Sequence, residues 1–548
     1  MPYLDWYLFH LMANDWSWFR STVATRPHPK DKSRPDPHFS LSQHTTMIPT
    51  ILITLFIAFI GYYFSAPAKE TDKLNNGKEL PGPIGIPYFG NIFQIGLHQY
   101  ISFSKWAQEY GPIFQIKLGV KRWVVVSDAA VAHELMVKRG TNYSARDHSF
   151  IMNEIVHPGS RGMLASSGEY WRKIRKLAHN GLAQKPVESY TPFIENESLE
   201  LVRSLYNSAL DPVIHFRLFT LNIILTTVYA KRFESPDDPT FLKLQSYIVD
   251  TIGFLGYDAI INLFPILRKL PLGLNKKARH LMANYFDLMK QFWDRFKEEH
   301  ARGETKPCVA SHVINHQDDD GLDDFDVHNM FIDVLGAGLD TTAITLSWMI
   351  ALLANHPEMQ ARAHAELDAA IGRDRLPTLA DQPNLPYIRA ILRETLRYRP
   401  ATGWLSIPHQ SVQDDLYEGH LIPADTTVVA NVYAMNMDPR RYAKPERFDP
   451  DRFLHVTESS AALANGPIGK RDHVTFGWGR RLCVGVHLAE AEGFLSLAQL
   501  LWCYRIEVEK GGVPPVVNEW QLGITMPPKP FRVKFAPRHE GVKEVIAK

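Results

Sequence analysis

Cysteine is scarce in this chain, with three among 548 residues, at positions 308, 483 and 503. Three thiols cannot build a four-cysteine zinc or iron–sulfur site, and they do not supply the disulfide framework of a small secreted fold. An excess of charge is missing too. Lys and Arg number 60 against 59 Asp and Glu, so no basic field argues for a nucleic-acid partner. Compositional bias is likewise absent: 45% hydrophobic and 22% charged residues exclude a disordered or collagen-like chain. At about 150 residues per domain the length predicts three or four domains. What remains is a large globular protein of a reducing compartment, in which a single cysteine is free to carry special chemistry.

One stretch departs from globular composition. Residues 48–66 read IPTILITLFIAFIGYYFSA, nineteen residues without a charge, or about 28 Å as a helix. A buried helix would show a polar side, and this run has none. Tyr62 and Tyr63 stand near one end as interfacial anchors would. No small-residue cleavage site follows, so a single transmembrane anchor over 47–66 is expected. Residues 1–46, rich in Trp and then in Pro, Lys and Arg, are expected to be an extension of doubtful order, and Met47 stands where an alternative translation start is expected. Lys69, Lys73 and Lys78 after the run would then keep the rest of the chain in the cytosol.

Residues 67–90 read as a linker and hinge, because Leu80-Pro-Gly-Pro-Ile-Gly-Ile-Pro87 is too dense in Pro and Gly for helix or central strand. Two β-like runs, 113–118 and 123–126, are joined through Gly119. Helical patterns dominate from about 129 to 398, and strand and loop material returns over 400–429 and near the C-terminus. No internal repeat or second linker interrupts 91–548. The fold class predicted is mainly α with small β-sheets, a single large domain. The sequons at Asn142 and Asn196 are chance matches in a cytosolic domain.

The sharpest feature is Phe476-Gly-Trp-Gly-Arg-Arg-Leu-Cys483-Val-Gly485, leading into an amphipathic helical run over 486–501. A cysteine at a helix N-terminus gains from the dipole and from unpaired N–H groups, which favour a thiolate able to ligate haem iron. Gly479 and Gly485 allow backbone to approach a flat macrocycle, Arg481 suits a haem carboxylate, and Phe476 shields the sulfur. Free cysteines are more often small buried hydrophobes, which is the expectation for Cys308 and Cys503. For Cys483 the pattern Phe-x-x-Gly-x-Arg-x-Cys-x-Gly fixes the residue at five positions, a coincidence on the order of 10⁻⁴ in a chain this long. The loop resembles the signature of the cytochrome P450 haem-thiolate monooxygenases, and the resemblance extends from about Pro81 to Pro537.

Other motifs gain meaning beside it. The apolar helical run around 329–355 contains Gly336-Ala-Gly-Leu-Asp340-Thr-Thr342. Two glycines there cost roughly 1 kcal/mol each relative to alanine, and the Thr341 hydroxyl can bond the Ala337 carbonyl four residues back. Close helix packing explains the motif equally well when it stands alone. By resemblance, Thr341 hydrogen-bonds the dioxygen being activated and Asp340 helps deliver protons. Glu394-Thr-Leu-Arg397, followed by Pro445-Glu-Arg447-Phe448 and Phe448-Asp-Pro450-Asp-Arg452-Phe453, resembles the family's structural triad, here Glu394, Arg397 and Arg447. Trp171 and Arg175, at i and i+4, offer two donors suited to a carboxylate; by resemblance they hold one haem propionate, and His409 after Pro408 holds the other. Lys173 and Lys176 lie off that face and suit an acidic electron donor as well as they suit plain solvent.

The resemblance departs in Ile422-Pro-Ala-Asp-Thr426, which lacks a glycine, in Tyr433 where tryptophan is common, and in a long stretch over 457–471. It implies a cytochrome P450 fold of eukaryotic, fungal, microsomal type, with haem b held through Cys483. Electrons would come from NADPH through a separate cytochrome P450 reductase, because no nucleotide-binding Gly-rich unit occurs in this chain. The protein would sit in the endoplasmic reticulum membrane with its catalytic domain in the cytosol and no nucleic acid as partner. The implied reaction inserts one oxygen atom into a lipophilic small molecule (terpenoid, steroid, polyketide or aromatic) in secondary metabolism or xenobiotic oxidation. The expected pocket draws on 149–164, 331–335, 401–407 and 522–526, with Phe331, Leu335, Ala337, Trp404 and Thr525 as lining residues. Two alternatives stand beside it: a haem-thiolate isomerase or dehydratase, and a membrane-tethered haem protein without catalysis.

Overall fold

A computed structural model describes residues 77–548 except 270–272, 317–320 and 522. The apolar run, the extension before it and the alternative start at Met47 all lie outside the described residues. Backbone contacts divide the chain after Lys78, and Glu79–Lys548 forms a unit of its own that holds every principal element.

The principal elements are α1 (Gln99–Tyr110), β1 (Ile113–Leu118), β2 (Lys121–Val126), α2 (Gly168–Leu182), α3 (Thr191–Leu205), β3 (Ala209–Leu210), α4 (Val213–Tyr229), α5 (Pro239–Leu263), α6 (Leu274–Ala301), α7 (Asp324–Ala354), α8 (Pro357–Ala370) and α9 (Pro386–Tyr398). Next along the chain come β4 (His409–Gln410), β5 (Asp415–Tyr417), β6 (His420–Ile422), β7 (Thr427–Ala430), α10 (Val486–Cys503), β8 (Tyr504–Glu507) and β9 (Val533–Pro537). The chain is mainly helical with small sheets, as expected from its periodicities.

Helix α7 organises the rest. Its N-terminus is closed by a reciprocal capping box, in which Asp323 accepts from the Asp326 N–H at 2.9 Å and Asp326 accepts from the Asp323 N–H at 3.0 Å. It runs 31 residues without a break, through both Gly336 and Gly338. By length and composition it would cross a membrane, yet it is the buried centre of this fold. Helix α4, apolar almost all round, survives only because neighbours enclose it. It lies along α7, where Thr220 Oγ1 donates to the Leu339 carbonyl at 2.8 Å.

The largest sheet has the order β1-β2-β7-β4. Strands β1 and β2 pair antiparallel with Ile113 opposite Val126, and β2 runs parallel to β7 with Trp123 opposite Thr427. Gly119 makes the turn between the first two at φ +53, where a β-carbon would lie 2.1 Å from the Leu263 carbonyl oxygen. A second sheet pairs β9 with β3 and β8, and β5 and β6 form a hairpin. The proline-rich stretch docks on β1: the Gln115 N–H donates to the Pro81 carbonyl at 2.9 Å and Asn91 Nδ2 donates to the Pro83 carbonyl at 3.1 Å. Asn142 is buried with its amide committed to the backbone of Val412 and Gln413, so the folded chain offers no glycosylation acceptor there.

Candidate active site

The cysteine loop is held by its own backbone and by arginine. The Cys483 N–H donates to the Phe476 carbonyl at 2.9 Å, and Gly477 at φ +82 turns the chain between them. Arg471 lies 4.3 Å over the buried Trp478 ring and donates to the His473 carbonyl at 3.0 Å. Gly479, expected to make room for a macrocycle, makes room for protein instead: a β-carbon there would sit 2.3 Å from the Met136 carbonyl oxygen. At Gly485 a β-carbon meets no heavy atom within 4 Å.

Cys308 and Cys503 are buried, whereas Cys483 is reachable by solvent. Protein nevertheless encloses Cys483 closely enough that burial raises its thiol pKa, opposed by the Gly485 N–H and by Arg175. Together these facts describe a sulfur facing an internal space.

Around that space lies a charge imbalance. Arg175 on α2 donates to the Leu482 carbonyl, and Arg481 donates to the carbonyls of Ser144 at 2.8 Å, Met163 at 3.0 Å and Ser166 at 2.6 Å. Arg146, which sequence reasoning missed, donates to the Ile407 carbonyl at 3.0 Å and to that of Pro408. Burial lowers all three guanidinium pKa values. Arg481 falls to about 8 with Arg146 and Arg175 adding repulsion, and Arg146 falls to about 10 with Arg175 adding repulsion. The three donate to carbonyl and hydroxyl oxygens, and none has a carboxylate in ion-pair reach among the described residues. Arg146 Nε and Trp171 Nε1 are buried without a partner among the described residues. The Arg481 guanidinium stacks 4.1 Å from the Trp171 ring centroid. His409 Nδ1 bonds the Tyr143 carbonyl at 2.6 Å, and burial followed by Arg146 pushes its pKa down to about 3, so the ring is neutral. Buried cations without anions are costly. This donor set fits a flat ligand carrying two carboxylates beside a thiolate-bound metal, which describes haem b.

Helix α7, largely covered elsewhere, opens at Ala337, which is exposed, with Gly336, Gly338 and Thr341 partly so. The Thr341 hydroxyl donates to the Ala337 carbonyl at 2.8 Å, as the spacing predicts. Asp340 points elsewhere. It pairs with Arg217 of α4 at 3.2 Å and accepts from the Thr525 hydroxyl at 2.8 Å. Thr342 donates to Glu492 of α10 at 2.6 Å, and burial pushes that carboxyl up to about 8.

Three expected pocket residues are covered by protein. Phe331 and Leu335 are 0% exposed and Trp404 is 3% exposed. Phe331 packs on Tyr229 at 5.0 Å and Trp293 at 5.7 Å. The reason is helical phase: at about 100° per residue, Phe331 and Leu335 share one face and Ala337 and Thr341 share another, with the two faces centred about 120° apart. Trp404 belongs to an aromatic cluster with Tyr100, Tyr433 and Trp520.

The buried triad also needs a correction. Glu394 and Arg397 pair at 2.6 and 2.7 Å with both side chains fully covered. The third side chain is Arg452, whose Nε lies 3.3 Å from Glu394. Arg447 is exposed and contributes only its carbonyl, which accepts from Arg397 at 3.1 Å. Each arginine sits in a Pro-x-Arg-Phe unit, and only the packing of the segment distinguishes them.

The Cytochrome P450 family profile matches residues 80–535. The chain belongs to the cytochrome P450 family. Cytochrome P450 monooxygenase 253 of Postia placenta is 32% identical over 483 residues, covering 86% of this chain and 91% of that protein. Cytochrome P450 monooxygenase virE of Hypocrea virens is 35% identical, covering 84% of this chain and 85% of the relative. A zebra fish cytochrome P450 solved with abiraterone is 25% identical with a TM-score of 0.68, covering 81% of this chain and all of that one. This P450 is thus a fungal-type haem monooxygenase, an oxidoreductase whose family holds haem through a cysteine thiolate and typically draws electrons from NADPH through a reductase.

Proposed function

We propose that Cys483 is the thiolate ligand of haem b and that the enzyme inserts one atom of dioxygen into a lipophilic small molecule. The observation that carries this reading is the solvent-reachable, enclosed Cys483 beside three guanidiniums lacking anions. When bound, haem supplies dioxygen activation, favoured by the electron-rich thiolate.

The chain's own residues orient and protect that chemistry. Arg146, Arg175, Arg481 and Trp171 Nε1 hold the propionates, and Glu394, Arg397 and Arg452 brace the segment beneath. Thr341 spends its proton on the Ala337 carbonyl, which leaves oxygen lone pairs facing the open space as acceptors. Asp340, held by Arg217 and Thr525, stores a proton-accepting carboxylate one residue away.

The substrate class is a terpenoid, steroid, polyketide or aromatic compound, admitted past Ala337 and the loop 149–164. Zebra fish P450 structures carry abiraterone and progesterone, both bulky lipophilic ligands. Electrons reach the enzyme from a membrane reductase docking near Lys173 and Lys176, and residues 47–66 anchor the protein in the endoplasmic reticulum.

The carbon monoxide difference spectrum of the reduced protein tests the ligand assignment. The wild-type protein should give the thiolate-type band and Cys483→Ala should lose it. Retention of that band in Cys483→Ala refutes the assignment.

A further inference from the structure

The segment 157–164 folds over one carboxylate. Asp333 on α7, 5% exposed, accepts from the N–H groups of Met163 at 2.7 Å and Leu164 at 3.1 Å through Oδ2. Its Oδ1 lies 2.9 Å from Nε2 of His157, itself 1% exposed. The other ring nitrogen, Nδ1, lies 2.9 Å from Asn329 Oδ1. The orientation of Asn329 is set by its Nδ2, which donates to the Phe325 carbonyl at 2.8 Å, a group able only to accept. Both imidazole nitrogens therefore face acceptors, both carry protons, and His157 is an imidazolium. Burial works against that charge, and Asp333 with Asn329 outweighs it, so the His157 pKa is raised.

The segment is gripped from its other side as well. Arg481, two residues before Cys483, donates to the Met163 and Ser166 carbonyls. Gly162 packs so closely on the imidazole that a β-carbon would come 2.4 Å from its Cγ and Nδ1. Met163 and Leu164 are thus suspended between α7, three residues before Gly336, and the turn that leads to the cysteine.

We propose that His157 and Asp333 form a buried imidazolium–carboxylate latch that fixes Met163 and Leu164 as a wall of the cavity over Cys483, making His157 a positioning residue for ligand choice. The latch rests on the haem reading of Cys483. Among the described charged and titratable groups nearby, only Asp333 touches the imidazole. Tyr285 of α6 faces Asp333, Asp258 of α5 is occupied by the backbone of Ile151 and Met152, Glu154 pairs with His148, and Arg161 is held by Asp323 and Asp326 on the first turn of α7. The sign follows from the raised pKa. The latch is complete below the ordinary imidazole range and is lost as pH rises through the raised value.

Hydrogen exchange on the full-length haem protein tests it, after correction for the intrinsic pH dependence of amide exchange. Protection of the Met163 and Leu164 amides should fall about tenfold or more between about pH 6 and pH 9. In His157→Gln and in Asp333→Asn that protection should already be low, and in His157→Gln it should not change with pH. Unchanged protection in both variants, or a pH dependence that persists in His157→Gln, overturns the latch. A second measurement uses two iron-binding probes, imidazole and the bulky clotrimazole. His157→Gln should shift the clotrimazole Kd at least about fivefold with the imidazole Kd unchanged, a differential of roughly 1 kcal/mol. Equal shifts in both overturn the positioning role. If the wild-type protein holds no haem, the reading of Cys483 falls, while the exchange measurement still decides the latch.

Discussion

Replacing Arg146 by methionine should separate cofactor retention from folding. In the structure this guanidinium serves two carbonyls, Ile407 and Pro408, keeps a buried Nε without a partner, and is repelled by Arg175. Against the chain alone, freeing the two carbonyls costs about 1 kcal/mol each. Removing a buried donor that has no partner, together with a repelled charge, returns about 1–3 kcal/mol. The balance lies within about 1 kcal/mol of zero, a Tm change of about 1 °C for a chain this large. On the proposed propionate-holding role, the same change in the haem protein would delete one charge-assisted bond, about 1.5–3 kcal/mol, or roughly ten- to a hundredfold in affinity. Transfer of haem to excess apomyoglobin, followed by absorbance, measures the second quantity, and thermal unfolding of haem-depleted protein measures the first. Arg146→Met should lose haem at least about tenfold faster while the haem-depleted chain melts near the wild-type temperature. Haem loss at the wild-type rate, or equal destabilisation with and without haem, would refute the argument from unpaired guanidiniums.

Two further outcomes stem from buried charge. Arg452→Leu should cost about 1.5–3 kcal/mol of stability, because a charged partner of the fully covered Glu394 disappears. Arg447→Ala, at an exposed side chain, should stay within about 0.5 kcal/mol, and the reverse ranking in thermal unfolding would restore Arg447 to the triad. Burial pushes the Glu492 carboxyl up to about 8, so above the ordinary carboxylate range the folded chain keeps a proton that the unfolded chain has released. Stability should therefore fall with rising pH across that window, at up to about 1.4 kcal/mol per pH unit. Glu492→Gln keeps an acceptor for Thr342 and should flatten the slope, and parallel curves of Tm against pH for the two proteins would contradict this.

What could be read from sequence was what lies close together along the chain. The cysteine loop and the Asp340-Thr341 turn each concentrate special residues in a short stretch, and local backbone geometry then dictates how they stand. Arg146 and Arg217 carry no such signature. Each is a lone arginine whose meaning comes from what the fold brings beside it, although a single charge inside the apolar run Val213–Tyr229 does point to a buried partner. The pair His157 and Asp333 is joined by tertiary packing between distant parts of the chain and has no pattern in either neighbourhood. Phe331 and Leu335 failed for a different reason. An apolar stripe on a helix enclosed on nearly every side does not say which part faces a ligand and which faces α4 and α6. The triad error had a third origin, two nearly identical units close together in the chain, of which only one turns its guanidinium inward.

The long, sealed helix α7 has a consequence for how such an enzyme diversifies. With Phe331 and Leu335 buried and Asp340 committed to Arg217 and Thr525, the middle of the helix exposes little beyond Gly336–Gly338 and Thr341. A change of ligand would therefore fall most readily on the side chains of Met163 and Leu164, whose ties to Asp333 run through backbone N–H groups and so survive substitution, while the helix that holds them stays as it is.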